Sequence, residues 1–263
     1  MAEARFTSDA IAASVIVPDW PAPSRVHALA TTRRLPGNSQ PPYDAFNLGL
    51  RSGEEESTVY ANRALLQRAF ALPAPPRWLH QVHGDRVLRM TAEVPDGEPQ
   101  ADAAFTSEPG VVLAIQAADC LPILLCTDDG SQIAAIHAGW RGLSGGVVEA
   151  CAQRMTATAE KLLAWLGPAI GPASYEVGAE VRDVFLRHPA AAEAAFAPTR
   201  PGHWHCDLYA LARQRLATLG VTRIYGGGYD TFADARFYSY RRDGARSGRM
   251  ASLIWLEKTS RHA

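Results

Sequence analysis

Residues Leu113 to Gly142, LAIQAADCLPILLCTDDGSQIAAIHAGWRG, constrain this chain more than any other stretch. Two runs of aliphatic and β-branched residues, Leu121 to Thr127 and Gln132 to Ala138, flank Asp128-Asp129-Gly130, and Asp-Gly between such runs is a strong hairpin signal. Side chains alternate faces along a strand, so register decides which of them meet. An even-numbered loop pairs odd positions with even ones, which puts Cys120 and His137 on one face as a direct or diagonal pair, their Cβ atoms roughly 5 to 8 Å apart. A thiolate and an imidazole at that distance can share one metal ion or one substrate atom. A one-residue bulge would separate them.

The rest of the chain supplies a sheet for the hairpin to join. Of its 263 residues 47% are hydrophobic, enough for a large core. Candidate strands are Ala13 to Val17, Val26 to Thr32, two short ones between Trp78 and Met90 around His83-Gly84-Asp85, Val111 to Gln116, Leu162 to Leu166, Thr222 to Tyr225, Arg236 to Tyr240 and Met250 to Leu256. A long turn-rich loop, Arg33 to Tyr43, precedes a helix that the acidic turn at Glu54 opens and that runs to about Phe70, with Val59, Leu65, Leu66 and Phe70 as its buried stripe. Further helices are expected from Leu143 to about Thr158, from Val181 to His188, and from Leu208 to Leu219 behind an Asp207 cap. Several strands look like hairpin partners rather than members of βαβ units. The expected fold class is therefore α+β, a single domain with mixed β-sheets flanked by helices, in which residues 1–20 are an N-terminal arm and residues 21–263 one domain.

A net charge of −1 gives no bulk attraction to nucleic acid or to an anionic membrane. No apolar run approaches the ~18 residues needed to span a bilayer, and the N-terminus lacks a basic segment before an apolar one. Four cysteines without CxxC spacing fit reduced thiols. A cytoplasmic protein acting on small molecules is expected, with monomer and homodimer both open.

Zinc held by N and S donors from three residues keeps a position for water, the arrangement of a catalytic site. Cys120 and His137 supply two such donors, and by spacing the third could be His80, His83, His203 or His205. His203-Trp204-His205-Cys206 is dense in ligands, yet it reads more simply as a surface strand entering the helix capped by Asp207. Asp119 and Asp102 are candidates for general acid/base work or for orienting a histidine. Arg33-Arg34 and Arg241-Arg242 lie in loops where guanidinium forks can take phosphate.

Several motifs in order carry a family resemblance: Gln81-Val82-His83-Gly84, Ala118-Asp119-Cys120-Leu121-Pro122, His137-Ala138-Gly139-Trp140-Arg141-Gly142, Gly167 to Gly171 with Tyr175-Glu176-Val177-Gly178, and Ser239-Tyr240-Arg241-Arg242-Asp243 with Gly248-Arg249-Met250-Ala251. From about Val26 to Leu256 the chain resembles the multicopper polyphenol oxidoreductase or laccase-domain proteins, now also described as purine nucleoside phosphorylases and, for some, peptidoglycan editing factors. The resemblance implies zinc on His83, Cys120 and His137, and leaves His203, His205 and Cys206 out of the site. It also implies phosphorolysis of adenosine, inosine and methylthioadenosine, with adenosine deamination in the same pocket through water attack at purine C6.

On this reading Cys120, Asp119 and Asp102 are the catalytic candidates. Arg33, Arg141 and Arg241 are candidates for holding phosphate, and Asn47, in a segment that also resembles the family, for the nucleoside. The partners implied are purine nucleosides and phosphate. Editing of a UDP-linked muramyl precursor, by hydrolysis of an amide, is the enzymatic alternative. A copper polyphenol oxidase is weaker, since one His/His/Cys site cannot supply several coppers, and a structural-zinc binding protein would need a fourth ligand. The chain departs from the family at Asp230 and in Gly171-Pro172-Ala173-Ser174, where Cys is common.

Overall fold

The computed structural model describes residues 14–187 and 190–258. Residues 1–13 of the expected arm, and His188 at the end of one expected helix, lie outside the described residues. At the centre is the hairpin, β6 (Leu121–Thr127) against β7 (Ile133–Ala138), with Leu121 opposite Ala138 and Pro122 opposite His137. Its loop is locked by Thr127, whose hydroxyl donates to Asp129 at 2.6 Å and accepts from the backbone N–H groups of Ser131 and Gln132, while Gly130 takes the left-handed φ of 67° that the turn requires.

The hairpin lies within a six-stranded mixed sheet ordered β12 (Arg223–Gly226), β8 (Leu162–Leu166), β6, β7, β4 (Ala103–Thr106), β3 (Val87–Arg89), in which the two outermost pairs are parallel and the inner ones antiparallel. An antiparallel four-stranded sheet, β1 (Val15–Ile16), β2 (Val26–Thr31), β13 (Met250–Leu256), β5 (Val112–Ala117), covers one of its faces. A small antiparallel sheet, β10 (Phe196–Pro198), β11 (His203–Cys206), β9 (Glu176–Gly178), stands beside these.

Alternation along the strands sorts the core into layers. Leu121, Ile123 and Leu125 pack with Val147, Val148, Phe185 and Leu211 on the helical side, whereas Leu124 and Cys126 pack with Leu113, Ile115 and Ile254 between the sheets. On the outer face of the four-stranded sheet, Leu29, Ala114 and Leu253 meet Leu66 of helix α1 (Glu56–Ala69). The helical layer contains α2 (Trp140–Gly145), α3 (Val147–Ala152), α4 (Ala179–Leu186) and α5 (Leu208–Thr218), the last capped by Asp207, which accepts from the Ala210 N–H at 2.9 Å. The fold is α+β, a single domain of mixed and antiparallel sheets with helices outside them, as the sequence pattern led us to expect. No helix among the described residues is long and apolar enough to cross a membrane.

Three expectations fail locally. Of the two short strands expected between Trp78 and Met90 only β3 forms, and His80 makes just an isolated bridge to Gln100. The helix expected from Leu143 to Thr158 is two short helices, because Gly146 takes φ 94° and breaks the hydrogen-bond ladder. The strand expected over Arg236 to Tyr240 is a loop entering a helical turn, α6 (Tyr240–Asp243): the Ser239 hydroxyl accepts from the Arg242 N–H and caps the turn instead of leaving the backbone to pair in a sheet.

Candidate metal centre and its cavity

Cys120 directly precedes β6, one step beyond the last β6–β7 pair, so His137 is its diagonal neighbour on the side facing the four-stranded sheet. The two come together across Gly139, where a Cβ would lie 2.7 Å from Cys120 Sγ and 3.1 Å from a His83 ring carbon. Only glycine admits that approach.

Asp102 brings in the third residue. Fully buried just before β4, its carboxylate accepts the backbone N–H groups of Val82, His83 and Gly84 at 3.1, 2.8 and 2.8 Å, and so holds the turn in which His83 adopts φ 63°. The same carboxylate accepts Nδ1–H of His137 at 2.8 Å, which fixes the ring's orientation and makes Nε2 the nitrogen that offers a lone pair once the ring gives up its second proton. Asp102 thus acts through its neighbours and is a positioning residue. His83 Nε2 and Cys120 Sγ are 3.7 Å apart, and one ligand atom from each of His83, Cys120 and His137 lies within 4.8 Å of the other two. Donors of tetrahedral zinc with Zn–N near 2.05 and Zn–S near 2.3 Å sit about 3.3 to 3.6 Å from each other, so these residues fit a metal of that kind with a small inward movement of the rings.

Charge favours it as well. Burial opposes ionisation of the Cys120 thiol, but the His137 and His83 rings outweigh that and bring its pKa well below the ordinary thiol value. Burial likewise opposes the His137 cation, yet the Cys120 thiolate and Asp102 outweigh it and raise that pKa. The other three thiols, Cys126, Cys151 and Cys206, are pushed up to about 12 by burial and stay inert.

The group forms part of the wall of a cavity of about 540 Å³ that also includes Gln81, Gln116, Trp140, Arg141, Tyr175, Tyr240, Arg241 and Arg249. Asp119, at φ 89°, ties its rim together: one carboxylate oxygen accepts from Thr231 Oγ1 at 2.6 Å and the other from the Arg241 N–H at 2.7 Å. A second groove, of about 450 Å³, shares Trp140, Arg141, Tyr175 and Arg241 and continues to Arg200 and His203.

Arg141 and Arg241 therefore reach the cavity, and two other residues expected to bind substrate do not. Arg33 is held away from it by Asp44, whose carbonyl accepts Nε–H at 2.8 Å, by Asp243, and by stacking over Tyr238. Asn47 is fully buried and its amide is saturated: Oδ1 accepts from the Gly49 and Arg249 N–H groups, and Nδ2 donates to Ser52 and Glu54. It supports the wall from behind.

Among the remaining histidines, His80 forms an isolated bridge with Gln100, and His203 and His205 lie on β11 outside the three-donor group. Sequence reasoning missed Tyr175 and Arg249 as individual residues, although both stand in the motifs quoted above; neither has a spacing signal of its own. The two departures from the family pattern turn out to touch, with Ser174 Oγ donating to Asp230 Oδ2 at 2.6 Å.

Fold and site define a class: an α+β chain with a three-donor, metal-capable group in the wall of an arginine-lined cavity. A family model described as multi-copper polyphenol oxidoreductase laccase matches residues 27–257, and the chain belongs to that family. It is 50% identical over 253 residues to a protein of Xylella fastidiosa strain Temecula1 named purine nucleoside phosphorylase, covering 92% of this chain and 96% of that one. The Escherichia coli K12 purine nucleoside phosphorylase YfiH is 49% identical over 243 residues, covering 92% and 98%. Among solved structures, a Neisseria meningitidis protein superposes with a TM-score of 0.88 at 43% identity over 93% of this chain and 100% of that one. YlmD from Geobacillus stearothermophilus gives 0.82 at 30% identity, over 89% and 93%.

Proposed function

We propose that this protein is a zinc-dependent purine nucleoside phosphorylase acting on adenosine, inosine and methylthioadenosine, with adenosine deamination in the same cavity. The observation that carries the proposal is the His83–Cys120–His137 group sharing one cavity with aromatic side chains and with three guanidinium groups, of Arg141, Arg241 and Arg249, that pair with no carboxylate among the described residues. The names of the relatives support it.

In phosphorolysis a phosphate oxygen bonds to C1′ as the C1′–N bond breaks, and the purine leaves with the electron pair and takes up a proton. Arg141 and Arg241 put positive charge beside that reaction, where it favours the phosphate and opposes repulsion from the departing base. Trp140 and Tyr175 give the cavity wall aromatic surface against which a purine can pack. Burial holds the Tyr175 phenol far above its ordinary pKa, so it remains a hydrogen-bond donor throughout the neutral range. A metal on the triad supplies Lewis-acid polarisation and a water activated near neutral pH. Asp102 keeps His137 Nε2 available for it.

Incubation with inosine or adenosine, with and without phosphate, followed by chromatography, tests this. Free base and ribose 1-phosphate appearing only with phosphate are expected; no purine product from zinc-loaded protein would overturn the proposal. The continuity of the cavity with the second groove favours one other reading, hydrolytic editing of a larger UDP-linked cell-wall precursor. Release of an amino acid from such a precursor, with nucleosides inert, would select it.

A further inference from the structure

The guanidinium groups of the cavity wall differ in what already holds them. Arg51 is ion-paired to Glu98. Arg141 is exposed and lies over the Trp140 ring, 4.4 Å from its centroid. Arg241 is exposed, donates from Nη1 to the Glu176 carbonyl at 2.9 Å, and lies 5.2 Å from the centroid of Tyr175.

Arg249 differs in its burial: like Arg141 and Arg241 it lies near an aromatic ring, 6.0 Å from the centroid of Tyr240, but it is less exposed than either. It is half-buried, its Nη1 donates to the carbonyls of Ser247 and Gly248 at 2.6 and 3.0 Å, and no Asp or Glu pairs with it among the described residues. Its Nε and Nη2 have no protein acceptor among the described residues, and neither is sealed from solvent. The fold builds its seat deliberately. Asn47 Oδ1 accepts the Arg249 N–H at 2.8 Å, the Leu48 N–H donates to the Arg249 carbonyl at 3.1 Å, and a Cβ at Gly49 would collide with Arg249 Cγ at 2.5 Å. Burial lowers the pKa of this guanidinium more than the nearby Cys120 thiolate and Asp119 carboxylate raise it, so it has lost water without a carboxylate in ion-pair contact among the described residues. A cation so placed, with free donors facing a cavity, is a seat for an oxyanion.

We infer that Arg249 seats inorganic phosphate beside the His83–Cys120–His137 group, presenting Nε and Nη2 to the phosphate oxygens. The inference rests on the phosphorylase reading and names the residue that fixes its second substrate. It assigns to Arg141 and Arg241, both exposed, the lesser share of phosphate binding.

The test is steady-state phosphorolysis of inosine with phosphate varied, alongside calorimetric titration of inorganic phosphate, for the wild type, Arg249→Met and Arg249→Lys. Loss of a hydrogen-bonded pair with a charged ligand raises the phosphate KM about 10- to 100-fold in Arg249→Met, with an intermediate value in Arg249→Lys. Zinc content by elemental analysis and the inosine KM stay near the wild-type values, which separates an anion seat from a residue that merely supports the metal group. An unchanged phosphate KM in either variant overturns the inference. If the wild type makes no ribose 1-phosphate yet binds phosphate in calorimetry, and Arg249→Met does not, the phosphorylase reading falls and the anion seat stands. If wild type and variant bind phosphate equally, the seat falls.

Discussion

Replacing Asp102 by Asn changes one atom and should disable the metal group. The carboxylate serves four donors in pairs: Oδ1 takes the His83 N–H and His137 Nδ1–H, and Oδ2 takes the Val82 and Gly84 N–H groups. An amide has one oxygen, so in either orientation two of these donors face an NH2 group. At about 1.5–3 kcal/mol for each hydrogen bond to a charged group, and with a buried charge pair broken, metal-free protein should lose about 3–5 kcal/mol of stability. If the amide oxygen stays with the Val82–Gly84 turn, His137 relieves the clash by moving its proton to Nε2, and the lone pair that a metal needs is gone. Metal affinity should fall about 10- to 100-fold.

Denaturant unfolding of metal-free protein and zinc competition against a chelator measure the two effects. The stability gap has a pH signature. Burial opposes the Asp102 charge, but its bonds to His137 and to the backbone N–H groups outweigh burial and hold its folded pKa below the ordinary value. The stabilisation is therefore complete above the unfolded carboxyl value of about 4 and is lost as pH falls through the lower folded one. An Asn variant within about 1 kcal/mol of wild type, binding zinc equally well, would refute the reasoning.

Gly139→Ala should abolish zinc binding while leaving most of the fold intact, since the added methyl would stand 2.7 Å from Cys120 Sγ at the rim of the sheet; crystallography or elemental analysis decides it, and full zinc occupancy would show that the approach is not tight. Zinc affinity should rise about tenfold per pH unit through neutrality and level off above the raised pKa of His137, because the metal-free pair is thiolate and imidazolium and binding releases the proton on Nε2. A flat profile in chelator competition would contradict that charge state. His203→Ala should retain zinc and activity, as His203 lies on β11 apart from the metal group; loss of zinc in elemental analysis would count against the assignment.

The hairpin was legible because its information is local: an Asp-Gly turn fixes the loop, and alternation then settles the faces of Cys120 and His137. The third member of the group was not. Four histidines were open by spacing, and the choice of His83 came with the family resemblance, because what brings its turn across is a buried carboxylate 19 residues away in sequence. Arg33 looked like a phosphate ligand since an arginine in a polar loop carries no mark of the Asp44 and Asp243 that hold it. Asn47 stood in the right motif for a different reason, as the support behind Arg249. The same loss of long-range information explains the 236–240 segment, whose apolar Phe237 and Tyr238 read as a strand but are buried by packing in a loop.

If His83, Cys120 and His137 hold a metal that serves nucleoside chemistry in the adjoining cavity, metal and activity fall together; elemental analysis of wild type and Cys120→Ala, paired with inosine phosphorolysis on the same samples, reads both. One zinc per chain and phosphate-dependent release of hypoxanthine are expected for the wild type, and loss of both for the variant. Zinc retained in full by Cys120→Ala, or undiminished turnover without it, would contradict the account.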